Sequence, residues 1–120
     1  KEDGMPIIRR SDVKLDESNP ELKRLTLINA AAGAGYLELG EVTIAPGKQV
    51  PLHTHPTHEE GMYILEGPID YVLGDESGTA NVGDTLLAPA GVKHNLSNPG
   101  SEPRRVMFIF PTTNVQRVFL

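Results

Sequence analysis

Residues Gly47 to Gly67 read G-K-Q-V-P-L-H-T-H-P-T-H-E-E-G-M-Y-I-L-E-G, and the rest of the chain is read from them. They hold His53, His55 and His58, followed by Glu59 and Glu60. His53 and His55 are two residues apart, so on a β-strand both imidazoles point to one face. Neutral imidazole is a common ligand for first-row metals, and a pair placed this way can share one ion. Past the Pro56 turn, Glu60 heads a run of strand formers, Met62-Tyr63-Ile64-Leu65, closed by Gly67-Pro68. Alternation from Glu60 turns Met62 and Ile64 to the same face, giving the site an apolar wall. The fourth histidine, His94, lies in G-D-T-L-L-A-P-A-G-V-K-H-N-L-S-N, from Gly83 to Asn98, where a later strand can return it to the same space.

Outward from this stretch the chain reads as strand after strand. Tyr36 to Ile44, Val50 to His55, Gly61 to Glu66, Ile69 to Leu73, Thr79 to Val82, Asp84 to Ala88, His94 to Ser97 and Arg105 to Phe110 are short runs with Gly/Pro punctuation. Gly74 to Gly78 reads as a turn cluster. Ser18 to Ala32 admits two readings. Asn19-Pro20-Glu21 has the form of a helix start, yet Leu25, Leu27 and Asn29 alternate, and a strand from Lys23 to Asn29 is taken. In the last long strand Met107 and Ile109 share one face and Phe108 and Phe110 the other, with the phase left open. The pattern is that of an all-β sandwich or barrel.

A chain of 120 residues makes one domain. Residues 1–20 are polar apart from Met5, Ile7 and Ile8, and read as an arm in which Pro6 to Arg10 forms an edge or exchanged strand. Residues 21–120 form the single barrel domain. The tail from Pro111, with Val115, Val118 and Phe119, packs back on the barrel or on a partner, and a homodimer is the expected assembly. Eleven Lys and Arg stand against 16 Asp and Glu, a net charge of −5. That balance argues against nucleic-acid and anionic-membrane partners, both of which need a basic face. The chain has no cysteine, which excludes disulfides, thiol catalysis and zinc–thiolate sites and fits a cytoplasmic protein.

The spacing of these residues resembles the cupins. The first cupin motif reads Gly47, His53, His55, Glu60, Gly67, and the second reads Gly83, Pro89, Gly91, His94, Asn98. Together they cover about a third of the chain, and chance agreement of both in order carries far less risk than a lone motif. The resemblance implies a double-stranded β-helix, or jelly-roll barrel, with His53, His55, Glu60 and His94 holding one divalent transition metal inside it. Iron, manganese, nickel, zinc and copper all accept three imidazoles and a carboxylate. Burying those four groups without a counter-charge is costly, and a metal satisfies them together.

His58, in a Pro-Thr-His-Glu loop, has two readings: an exposed side chain, or a catalytic proton shuttle at the barrel mouth. Glu59 reads as surface, and Asn98 as a turn or strand-end hydrogen bonder. The motif glycines Gly47, Gly67, Gly83 and Gly91 read as turn positions. Three Phe and no Trp argue against an aromatic cage, and no dedicated anion clamp is legible, Lys48, Lys93, Arg104 and Arg105 reading as solvated. The function implied by the resemblance is a metal-dependent enzyme acting on a small organic substrate. Dioxygenation comes first, followed by isomerisation, lyase chemistry or sugar-acid ring opening. A non-catalytic small-molecule or metal-binding module is the alternative of another class.

Overall fold

Alternation along the strands turns one row of apolar side chains inward, and two sheets close over those rows. The computed structural model describes residues 6–120; Met5 and the residues before it lie outside that range. Ten strands are present among the described residues: β1 Leu22–Ile28, β2 Glu38–Ile44, β3 Gln49–Thr54, β4 Glu60–Ile64, β5 Ile69–Leu73, β6 Glu76–Ala80, β7 Thr85–Ala88, β8 His94–Ser97, β9 Arg104–Phe110 and β10 Val118–Phe119. One sheet has the order β1-β2-β9-β4-β7 and the other β10-β3-β8-β5-β6. Every pairing between them is antiparallel. This is the expected all-β double-stranded β-helix. No described helix is long and apolar enough to cross a membrane.

The core lies between the sheets. Met62 and Ile64 of β4, Val106, Phe108 and Phe110 of β9, and Leu96 of β8 are buried on alternate positions, so the open phase of the last long strand resolves with the phenylalanines inward. Gly40 of β2 pairs with Phe108. A Cβ at Gly40 would lie 2.6 Å from the Phe108 ring and 2.5 Å from the Leu25 carbonyl oxygen, so only glycine lets strand and ring approach this closely.

Three local readings change in detail. Pro6 to Arg10 forms no strand with its own chain, and the segment ends in a 3₁₀ turn, Arg10–Asp12. Arg10 instead reaches Glu41 with two hydrogen bonds of 3.0 and 3.2 Å, tying this segment to the outer face of the first sheet. The turn read over Gly74 to Gly78 is only Gly74-Asp75. Leu73 pairs with Glu76 across that two-residue loop, and the strand read from Thr79 begins at Glu76. Gly47, Gly83 and Gly91 have positive φ, but Gly67 does not, so its role is close contact with Ile64 rather than a left-handed turn.

The tail packs back on its own barrel. Val118 and Phe119 pair with Thr54 and His53, which makes β10 the edge of the second sheet.

Candidate metal centre

The two histidines of β3 reach the interior through an irregularity. Regular alternation from Val50 would put His53 on the outer face. The register between β3 and β8 instead shifts between Val50 and His53, and both residues are buried. An extra residue of this kind re-aims the side chains after it. Pro51, which has no N–H to give a ladder, sits within the shift. His55 follows two residues on and faces the same space. His94, the first residue of β8, pairs directly with His53. Glu60 enters from the opposite sheet as the first residue of β4. The centre therefore spans the barrel from sheet to sheet.

His53, His55, Glu60 and His94 are all buried, and one ligand atom from each lies within 4.8 Å of the others. Glu60 Oε1 is 3.0 Å from His55 Nε2 and 2.9 Å from His94 Nε2. Every one of the three imidazoles gives its other nitrogen to a backbone carbonyl: His53 Nδ1 to Pro51 at 2.7 Å, His55 Nδ1 to Gln116 at 2.7 Å, and His94 Nδ1 to Val92 at 3.0 Å. Those bonds hold the proton on Nδ1 and leave Nε2 as a lone pair aimed inward, the arrangement that orients metal-bound histidines. Two lone pairs aimed at one carboxylate oxygen repel unless each nitrogen takes a proton or a cation stands between them. Adjacent ligand atoms around an ion at about 2.1 Å stand about 3 Å apart. The donor set, its tautomers and its spacing therefore fit a divalent transition metal.

The electrostatics agree. Burial pushes the His53 imidazole down to about 4, so it is neutral and ready to donate. Burial also works against the charge on Glu60, but hydrogen bonds from His55 and His94 outweigh it and hold the carboxyl at about 2. For His94 burial opposes the proton, yet the Glu60 carboxylate raises its pKa. With no cation present, the carboxylate recruits a proton onto an imidazole.

A cavity of about 20 Å³, room for roughly one water, opens beside the cluster. Val50, Met62, Leu96, Val106 and Phe108 wall it. Ile64 does not line it; the residue is fully buried in the core beyond Met62.

His58 is placed unlike either reading of the loop. It is only 9% exposed, stacked on His55 with ring centres 5.0 Å apart and set edge-on to Phe110 at 5.5 Å. Its Nε2 accepts from the Gln116 N–H at 3.0 Å, and its Nδ1 gives to the Glu59 carbonyl at 3.1 Å. Both nitrogens are engaged by backbone, so His58 supports the site from behind. Phenylalanines also come closer than composition suggested: Phe110 lies 4.9 Å from the His55 ring and Phe119 5.8 Å from that of His53.

Asn98 is fully engaged, its Nδ2 giving to Ile44 and Glu102 carbonyls at 2.9 and 2.8 Å and its Oδ1 accepting from Gly100 N–H at 2.9 Å. Arg24 of β1 and Arg117, just before β10, also line the cavity. Neither was singled out in the sequence. The available signal was Arg24 on the same strand face as Leu22, which packs against the core.

A family model described as "Cupin domain" matches residues 40–110. The polyketide synthase CurC of Streptomyces cyaneus is 29% identical over 111 residues, covering 87% of this chain and 71% of that protein. The tetracenomycin polyketide synthase protein TcmJ of Streptomyces glaucescens is 31% identical over 85 residues, covering 71% of this chain and 57% of that protein. Among solved structures, the polyketide cyclase RemF from Streptomyces resistomycificus superposes with a TM-score of 0.80 at 27% identity, over 98% of this chain and 87% of that one.

Proposed function

The chain belongs to the cupin domain family, and from that premise we propose that it is a metalloenzyme whose small organic substrate brings a carbonyl, enol or carboxylate oxygen to the cavity beside the four ligands. The observation that carries this reading is the convergence of three buried histidines and Glu60, with Glu60 Oε1 3.0 and 2.9 Å from the Nε2 atoms of His55 and His94. His53, His55, Glu60 and His94 would hold a divalent ion of iron, manganese, nickel, zinc or copper, which would supply a Lewis acid or, for iron, nickel or copper, the activation of dioxygen. Val50, Leu96 and Phe108 keep bulk water out, which strengthens every charge interaction inside. With His58 engaged on both nitrogens, proton transfer falls to Glu60, whose Oε2 makes no hydrogen bond among the described residues.

Non-redox chemistry on an enolisable carbonyl compound, such as isomerisation, a lyase step or ring closure, is the leading reading. Support comes from relatives named as polyketide synthase proteins and from a structural neighbour named as a polyketide cyclase. Dioxygenation, first in order from sequence, is second here. The observation on its side is a cavity of about 20 Å³ beside the ligands, a size that suits a diatomic molecule.

The test is elemental analysis of protein purified without added metal, followed by ultraviolet and oxygen-electrode assays over β-diketones and keto acids. One equivalent of metal is expected, lost in His94→Ala and in Glu60→Gln, with diketone turnover and no oxygen uptake. Uptake by iron-loaded protein assigns the dioxygenase. Metal without turnover assigns a binding module, and wild-type protein that takes up no metal overturns the reading.

A further inference from the structure

The polar groups lining the cavity divide into three sets. His53, Glu60 and His94 belong to the metal cluster. Asn95 is spent on the fold, its Oδ1 accepting from the Val72 N–H at 3.1 Å and its Nδ2 giving to Gln49 at 3.0 Å. What remains is Arg24 and Arg117. Among the described residues neither guanidinium has a carboxylate within ion-pair distance or a side-chain hydrogen bond, whereas Arg10, Lys23, Lys48 and Arg105 all have a carboxylate partner.

Glu60, Asp16 and Glu38 act on Arg24 only through space, so both guanidinium forks at this cavity keep their hydrogen-bonding edges for a ligand. Burial, and after it the charge on Arg117, lower the pKa of Arg24. The Arg24 guanidinium lies over the Phe108 ring, 5.9 Å from its centre, at the cavity wall. Arg117 is exposed and still lines the cavity, so it stands where the cavity meets solvent. Arg24 belongs to the edge strand of one sheet and Arg117 adjoins the edge strand of the other. The pair therefore lies at the seam between the two sheets, where the cavity meets solvent. Guanidinium forks match a planar carboxylate in two parallel bonds, an arrangement less suited to a neutral carbonyl.

We propose that Arg24 and Arg117 form an anion-binding pair at the entrance of the metal cavity, and that the ligand taken there is a small carboxylate. The metal-centre reading is needed only for where the ligand's other oxygen goes. With space for about one water inside, the reacting oxygen enters and the carboxylate stays at the seam.

The probe is glycolate, with glycolamide as its uncharged counterpart, titrated by calorimetry into zinc-loaded and into chelated protein. Wild type is expected to favour glycolate. Arg24→Gln and Arg117→Gln should each weaken glycolate about ten-fold, the loss of one charge-assisted contact, and leave glycolamide within about two-fold. Arg24→Lys, which keeps charge and loses the fork, should fall between. Zinc content per chain reports the metal reading separately, and the same comparison in chelated protein holds whether or not zinc is taken up. Glycolate affinity unchanged in both glutamine variants overturns the pair, as does equal loss for both ligands. Inorganic phosphate displacing glycolate at equal concentration overturns the carboxylate assignment. Arg117 is exposed, so its variant keeps the test valid should Arg24→Gln fold poorly.

Discussion

Two buried glutamates in the same sheet show how surroundings decide what a carboxylate does. Glu60, 7% exposed, faces imidazoles whose outer nitrogens are already committed to carbonyls, and the protein supplies it no permanent cation at bonding distance. Glu41, also 7% exposed, lies on the opposite face and accepts from Arg10 at 3.0 and 3.2 Å and from Arg105 at 3.2 Å. Its charge is matched by the chain itself, so its role is structural. The Arg10 hydrogen bond, and after it that of Arg105, hold the Glu41 carboxyl below the usual carboxylate range against the opposing effect of burial. A depressed folded pKa means stability that is present above the unfolded value, about 4.3, and lost as pH falls through the folded one. Glu41→Gln should therefore cost about 1 kcal/mol at pH 7, discounted because Arg10 is largely exposed. The gap to wild type should narrow as the pH is taken below about 4. Thermal melts of both proteins across that range measure it, and a gap independent of pH would remove the charge from the explanation.

The two motifs, separated in sequence by Pro68 to Val82, fasten to each other. The Gly91 N–H gives to the His55 carbonyl at 2.9 Å, Gly47 N–H to that of Asn98 at 3.0 Å, and Asn98 N–H to that of Lys48 at 2.9 Å. With Gly91 at φ 79°, a conformation most side chains resist, the turn that delivers His94 is locked to the strand end that carries His55. The β1–β2–β9 side depends on Gly40 instead. Gly40→Ala drives a methyl into the Phe108 ring and the Leu25 carbonyl, and overpacking of this kind costs about 1–3 kcal/mol. Chemical denaturation should show a lowered midpoint with an unchanged slope. A midpoint equal to wild type would mean that β1 moves aside freely. Local pattern made the strands and the metal quartet legible, because spacing along a strand encodes which face a side chain takes. His58 was not legible, because what buries it is Gln116, 58 positions away. Arg24 was missed through phase. Leu25, Leu27 and Asn29 read as the alternating row, yet Leu22 and Arg24 face inward, while Leu25 lies opposite Glu41, the residue that Arg10 of the arm holds. A segment that covers the outer face of a sheet makes both faces read as core, and alternation alone cannot separate them.

At the scale of the whole molecule, the centre is a cross-link between sheets. His53 and His94 hang from one sheet and Glu60 from the other, and no disulfide exists to share that task. The tail adds a second tie, since the Gln116 carbonyl holds His55 and the Gln116 N–H holds His58. An ion bound only by the folded arrangement stabilises it by mass action, about 2.7 kcal/mol when free metal stands at a hundred times its dissociation constant. For a chain of 120 residues, each kcal/mol moves the melting temperature by about 4 °C. Chelation should thus lower the melting point by about 10 °C, and re-addition of one equivalent of zinc should restore it. His55→Ala, which also loses the tie to Gln116, should melt at or below the chelated wild type and respond little to either treatment. The contrast with Glu41→Gln makes the result specific, because that variant starts lower yet should still lose the full increment on chelation. Wild-type melting that ignores chelator and zinc alike would show that four convergent ligands contribute nothing to holding the sheets together. The carboxylate on Glu60 would then have to be balanced by protonated imidazoles alone.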